Sequence, residues 1–159
     1  MIADNVAALL KELPPGVLLE AAVKTRTSDE IAEALGAGVT IIGENYVQEA
    51  DDHFKGLGGA AAKAEWHLIG HLQKNKVKRA AELFRMVETI DSADTGKVLD
   101  RVCGRMNKVM PVLIEVNSAK EAQKDGAMPE NVAALVQDLS GLKNIKVMGL
   151  MTMGPELHN

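Results

Sequence analysis

Aromatic side chains are nearly missing from this chain of 159 residues, which holds one tryptophan, one tyrosine and two phenylalanines. Stacked rings therefore cannot build its core, and Ala, Val, Leu, Ile and Met must fill it. The hydrophobic share of 47% is enough for that in a single domain, and the eight methionines read as core filler. With one cysteine, Cys103, an internal disulfide is excluded and a reducing compartment fits. Cys103 itself reads as a small apolar residue on a helix. No apolar run approaches the roughly 20 residues of a membrane span. The start Met1-Ile2-Ala3-Asp4-Asn5 lacks the basic opening of a signal peptide, so a cytoplasmic protein is expected. The net charge of −4 offers no basic excess for nucleic acid. His53 and His158 lack metal-ligand spacing to the other histidines, so no metal site is expected.

What the chain does have is alternation. Residues 3–12 read as a short amphipathic helix, ended by Pro14-Pro15-Gly16. A β-prone run from Gly16 then ends at Lys24, and Thr27-Ser28-Asp29-Glu30 forms a capping box for a helix over 28–36. Further strands are expected at 39–42, 65–69, 86–90, 111–116 and 145–151. Helices are expected after Asn45, after His71, over about 94–106 and over about 129–139. Strand starts roughly 20–35 residues apart, with helices between, call for parallel strands joined by helical crossovers. No internal boundary is evident, and 1–159 reads as one domain.

Polar residues collect where the strands end: Lys24, Asn45, His67 or His71, Asp91, Asn117 and Thr152. In a (β/α) barrel these ends share the ligand-binding face. The turns that precede the strands, Gly36-Ala37-Gly38 and Gly141-Leu142-Lys143-Asn144 among them, are plainer. Each candidate has a bland alternative. Lys24 could simply mark where a strand meets water, and Asn45 could cap the next helix. His67 could be a satisfied core residue. Trp66 must point to the opposite face of the strand, which favours His67 on the interior side. The basic run Lys74, Lys76, Lys78, Arg79 reads as a solvated helix face, with 74 and 78 in one row.

Several stretches in order carry a family resemblance: Val23-Lys24-Thr25, then Gly43-Glu44-Asn45-Tyr46-Val47-Gln48-Glu49, then Trp66-His67-Leu68-Ile69-Gly70-His71-Leu72-Gln73-Lys74-Asn75-Lys76, and Gly149-Leu150-Met151-Thr152-Met153. Asn117, Glu121, Lys124 and Gly126 add a further loop pattern. Together they resemble the pyridoxal phosphate homeostasis protein family, the YggS-like binders similar to the barrel domain of alanine racemase. The resemblance implies an α/β fold of the (β/α)8 TIM-barrel type. It implies pyridoxal 5'-phosphate as cofactor, with Lys24 as the Schiff-base lysine and Asn45, His67, Met151 and Thr152 lining it. Lys124 would be a secondary amine near the barrel mouth. The implied role is cofactor buffering and transfer to apo-enzymes without robust turnover, as a monomer or weak dimer, with no nucleic-acid or membrane partner.

Two departures from the family pattern shape the expectations. Val23 stands where a serine is expected before the lysine. The sequence ends after about six β/α units, whereas the family continues through two more that grip the phosphate, so weak cofactor binding is expected, and a fragment without binding is the alternative. A racemase is the other alternative. It needs a second base, a tyrosine in alanine racemase, and the one tyrosine here, Tyr46, directly follows Asn45.

Overall fold

The computed structural model describes residues 1–121 and 123–154. The chain divides into two compact units, Met1–Ile69 and Gly70–Asn159. Both are α/β, and each contains three parallel strands with helices between them.

In the first unit, α1 (Ile2–Glu12) precedes β1 (Glu20–Ala22), α2 (Ser28–Gly36), β2 (Ile41–Glu44), α3 (Val47–Leu57) and β3 (Glu65–Leu68). Strand β2 lies between β1 and β3, in a register that aligns Ala22, Gly43 and His67. The apolar run from Gly16 yields only three ladder residues. Gly16 takes φ +85°, and the Val17 amide donates to the Pro14 carbonyl, so this stretch is spent on a turn and leaves Leu18 exposed. Helix α2 begins with the expected capping box, in which the Thr27 hydroxyl accepts from the Glu30 amide and Glu30 accepts from the Thr27 amide at 2.8 Å. Trp66 donates to the Ala61 carbonyl at 2.9 Å and packs on Phe54, so this face of β3 meets α3 and the 3₁₀ turn at Gly58–Lys63. Alanines can tighten into a 3₁₀ turn at little entropic cost.

The second unit contains α4 (Val77–Leu83), β4 (Met86–Ile90), α5 (Ala93–Arg105), β5 (Met110–Glu115), α6 (Val132–Ser140) and β6 (Ile145–Met151), with β5 between β4 and β6. Residues Lys74–Lys76 form a 3₁₀ turn before α4, so Lys74 and Lys78 are both exposed but do not form the expected helical row. Val87, Ile90, Leu99, Val112, Ile114 and Leu139 form the aliphatic core demanded by the lack of aromatics. Cys103 is fully buried among them, and burial pushes its thiol up. Lys108, just before β5, donates to the Ala81 and Phe84 carbonyls at 2.7 Å each, closing the C-terminal end of α4. No helix among the described residues is long and apolar enough to cross a membrane.

Lys108→Met keeps the stem of the side chain and removes both hydrogen bonds to the end of α4. A loss of about 1–2 kcal/mol is expected from urea unfolding, because two carbonyls lose a charged donor. An unchanged midpoint would contradict this account of how α4 is closed.

Candidate functional site

Parallel pairing gathers the C-terminal ends of β1, β2 and β3 on one side of the first unit. The Val23 amide donates to the Gly43 carbonyl at 3.1 Å, and the Arg26 amide closes a turn onto the Val23 carbonyl at 3.0 Å. Lys24 occupies the exposed corner of this turn, with no hydrogen bond or ion pair among the described residues. Val23 is buried beside it. Thr25 takes φ +66°, a left-handed conformation that costs a β-branched residue on the order of 1 kcal/mol or more. Such a conformation persists only where both ends of the segment are held.

Asn45 follows β2 directly. It is not the cap of α3, as one reading of the sequence had it, because Tyr46 holds that position. The Asn45 Oδ1 is buried and has no partner among the described residues, and the same holds for Glu44 Oε2 and Glu49 Oε2. An orphaned acceptor after β2 and an unpartnered amine after β1, at adjacent strand ends, fit a ligand that brings its own donors and an electrophilic carbon. On β3, His67 is buried on the face opposite Trp66, with Nδ1 3.5 Å from Glu20 Oε1. The Glu20 carboxyl lies over Gly43, where an added Cβ would stand 2.8 Å from its Oε1. A larger residue at 43 would displace Glu20 from His67.

Sequence reasoning did not find the most constrained group here. Glu44, at the end of β2, is fully buried, and its Oε1 lies 2.5 Å from His53 Nδ1 on α3. The other ring nitrogen, Nε2, lies 2.9 Å from the Arg26 carbonyl in the Lys24 turn. Burial pushes the Glu44 carboxyl up and the Glu49 charge adds to the rise, while His53 opposes it. Burial works against the His53 imidazolium, but the hydrogen bonds to Glu44 and Arg26 and the two glutamate charges outweigh it, so His53 is also held above its ordinary value. No sequence motif announces this pair. Its partners come from a loop, a strand and a helix.

In the second unit, Asn117 after β5 organises the loop that carries Lys124. Its Nδ2 donates to the Glu121 and Lys124 carbonyls at 2.7 and 3.2 Å, and its Oδ1 accepts from the Glu121 amide at 3.1 Å. Gly126 has φ +107° and passes so close that a Cβ would lie 2.8 Å from the Asn117 nitrogen. Lys124 Nζ bonds Glu121 Oε1 at 3.1 Å and the Gly154 carbonyl at 3.3 Å, so this amine is tethered, unlike Lys24. Thr152, just past Met151 at the end of β6, donates to the Val116 carbonyl at 2.8 Å and meets Ser118 Oγ at 2.8 Å. A cavity of about 230 Å³ opens here, lined by Glu115, Asn117, Lys124, Asp125 and Met153. Burial and the charges of Asp125 and Asp91 push the Glu115 carboxyl up, with His71 opposing.

The structure thus places Lys24, Asn45 and His67 at successive strand ends of the first unit, and Lys124, Met151 and Thr152 at strand and loop ends of the second. His71, the alternative to His67, is exposed after Gly70. His158, weighed above for metal-ligand spacing, lies outside the described residues, as does Pro155.

Comparison with known proteins adds to this geometry. A family model described as the alanine racemase N-terminal domain matches residues 1–158. A protein of Synechocystis sp. named pyridoxal phosphate homeostasis protein is 33% identical over 92% of this chain. One of the same name from Aquifex aeolicus is 37% identical over 87% of it. This chain spans 67% and 60% of the length of those two relatives. Among solved structures, PipY of Synechococcus elongatus with pyridoxal phosphate bound superposes with a TM-score of 0.88 at 34% identity, covering 98% of this chain and 71% of PipY. The α/β fold expected from strand spacing and resemblance is therefore that of PipY.

Glu115 gives a signed pH prediction. A carboxyl raised above its ordinary value of 4.5 favours the folded state while protonated, and that contribution is lost as pH rises through the raised value. Glu115→Gln is expected to gain stability over the parent progressively across that window and to keep the gain at neutral pH. Urea midpoints measured from acid to neutral pH check it, and a parent–variant difference that does not grow with pH contradicts it.

Proposed function

From its membership of the alanine racemase N-terminal domain family, to which the chain belongs, we propose that it binds pyridoxal phosphate through Lys24 and serves cofactor homeostasis rather than turnover. The observation that carries this reading is the Lys24 turn. One strand end presents an amine free of ion pairs among the described residues, and the adjacent strand end carries an orphaned acceptor on Asn45.

Bound pyridoxal phosphate supplies an aldehyde, which condenses reversibly with a neutral amine and releases one water. The protein supplies the placement. Asn45 Oδ1 is the acceptor left over for the ligand, and buried His67 backs the same strand layer beside Glu20. Lys124 lines the cavity of the second unit, where a cationic side chain suits an anionic group, and Met151 and Thr152 stand at the end of β6. A carrier that delivers cofactor to pyridoxal-phosphate-dependent apo-enzymes needs a reversible attachment, and an exposed amine outside any ion pair among the described residues would suit one. Supporting the homeostasis reading over a racemase are the names of the relatives and the exposed position of Tyr46. A proton-transferring base works best shielded from water.

Borohydride reduction in the presence of pyridoxal phosphate, followed by peptide mass mapping, tests the assignment. The label is expected on Lys24 and is expected to vanish in Lys24→Ala. A label persisting in Lys24→Ala overturns the site. Incubation with alanine and cofactor is expected to give no steady racemization, and turnover abolished by Lys24→Ala would overturn the carrier reading.

A further inference from the structure

The Glu44–His53 pair plays no part in the chemistry assigned to Lys24, yet it grips the same turn. The ring stands between two acceptors, the Glu44 carboxyl at 2.5 Å and the Arg26 carbonyl at 2.9 Å. A carbonyl only accepts, so Nε2 carries a hydrogen and donates to Arg26. The contact at Nδ1 then needs a second hydrogen, on either the ring or the carboxyl. When that proton leaves, a neutral ring has one N–H for two acceptors. It keeps either Glu44 or Arg26, and the buried carboxylate competes more strongly for it.

Arg26 is the point at which this matters. The Lys24 turn is fixed at its start by the Val23 amide on Gly43, and Thr25 within it is in a left-handed conformation. The His53 bond to the Arg26 carbonyl holds the far end, immediately before the Thr27 cap of α2. We propose that His53 is a positioning residue for Lys24: its Nε2–H, kept in place by Glu44, clamps the Arg26 carbonyl and so holds the strained turn that presents the amine. This rests on the reading of Lys24 as the residue that binds the aldehyde.

The clamp is pH-sensitive, and its surroundings set the direction. Glu44 faces the ring from β2 and Glu49 from α3 itself. The Arg26 guanidinium is drawn to Glu30 on α2 at 3.4 Å, and Asp52 and Lys55 pair with each other at 3.6 Å on the exposed side of α3. The net field at the ring is negative, which retains the shared proton. Both groups bind their protons more tightly than usual, so the clamp is closed at lower pH and opens as pH rises.

The test compares the full chain with His53→Phe, Glu44→Gln and Lys24→Ala. Two readouts against pH are used: the rate of pyridoxal phosphate incorporation, and reductive methylation of Lys24 by formaldehyde, which needs no cofactor site. His53→Phe is expected to slow incorporation about tenfold, the effect of losing one hydrogen bond that positions the amine. It should also abolish the alkaline break in both profiles. Glu44→Gln offers Nδ1 a carboxamide N–H in place of the titrating proton. It should keep the neutral-pH rate and lose the break. Imidazole ¹⁵N resonances of the parent should show Nε2 protonated at neutral pH. A deprotonated Nε2, or parent-like rates and profiles in both variants at unchanged thermal midpoints, overturns the proposal. Should His53→Phe fail to fold, Glu44→Gln and the ¹⁵N spectrum still decide. Incorporation undiminished in Lys24→Ala defeats the Lys24 assignment alone, because the formaldehyde profile still reports the clamp.

Discussion

Parallel strand pairing is the constraint from which the rest follows. In a parallel ladder all strands end on the same side, and each connection must return the chain through a helix. In the first unit the aligned layer Ala22, Gly43 and His67 sets where Lys24, Asn45 and Glu44 emerge. In the second unit β5 and β6 deliver Asn117 and Thr152 side by side in the same way, joined by the Thr152 bond to the Val116 carbonyl. The chemistry-bearing residues lie far apart in sequence, and pairing brings their strand ends together.

The two units treat their buried polar groups differently. Asn117 satisfies its amide fully within its own loop, which makes the segment around Lys124 a self-contained structure. Glu44, Asn45 and Glu49 each keep a buried oxygen without a partner among the described residues. Unsatisfied acceptors cost about 1–3 kcal/mol each in a packed interior, so three of them at and just after one strand end mark a place built for something other than stability. The lysines follow the same division. Lys124 is tethered to Glu121 and Gly154, whereas Lys24 makes no polar contact among the described residues. For the role proposed for Lys24, an ion pair would be a handicap, because it would hold the amine's proton.

Much of this was legible in the sequence because local rules carried it. The Thr27–Glu30 capping box, the six strand segments and the scarcity of rings behind the aliphatic core all follow from short-range pattern. Lys24 and Asn45 could be picked out because they end periodic segments. The run from Gly16 to Lys24 misled as to strand length, since turn geometry at Pro14–Val17 consumed residues that hydropathy assigned to the ladder. Asn45 as a helix cap failed for a related reason, because α3 starts one residue later than a cap there would require.

The sequence by itself determined the alternation of strands and helices, the apolar side of each element and which residues stand at the strand ends. These depend on neighbours within a few positions, where spacing and side-chain type suffice. Only the tertiary structure decided that His53 faces Glu44 and the Arg26 carbonyl, and that among the described residues Lys24 has no polar partner while Lys124 is bound. Those facts depend on distances between segments up to 30 residues apart, and on which groups burial leaves without water. No periodicity encodes them. They arise when packing forces donors and acceptors from different elements to settle with one another.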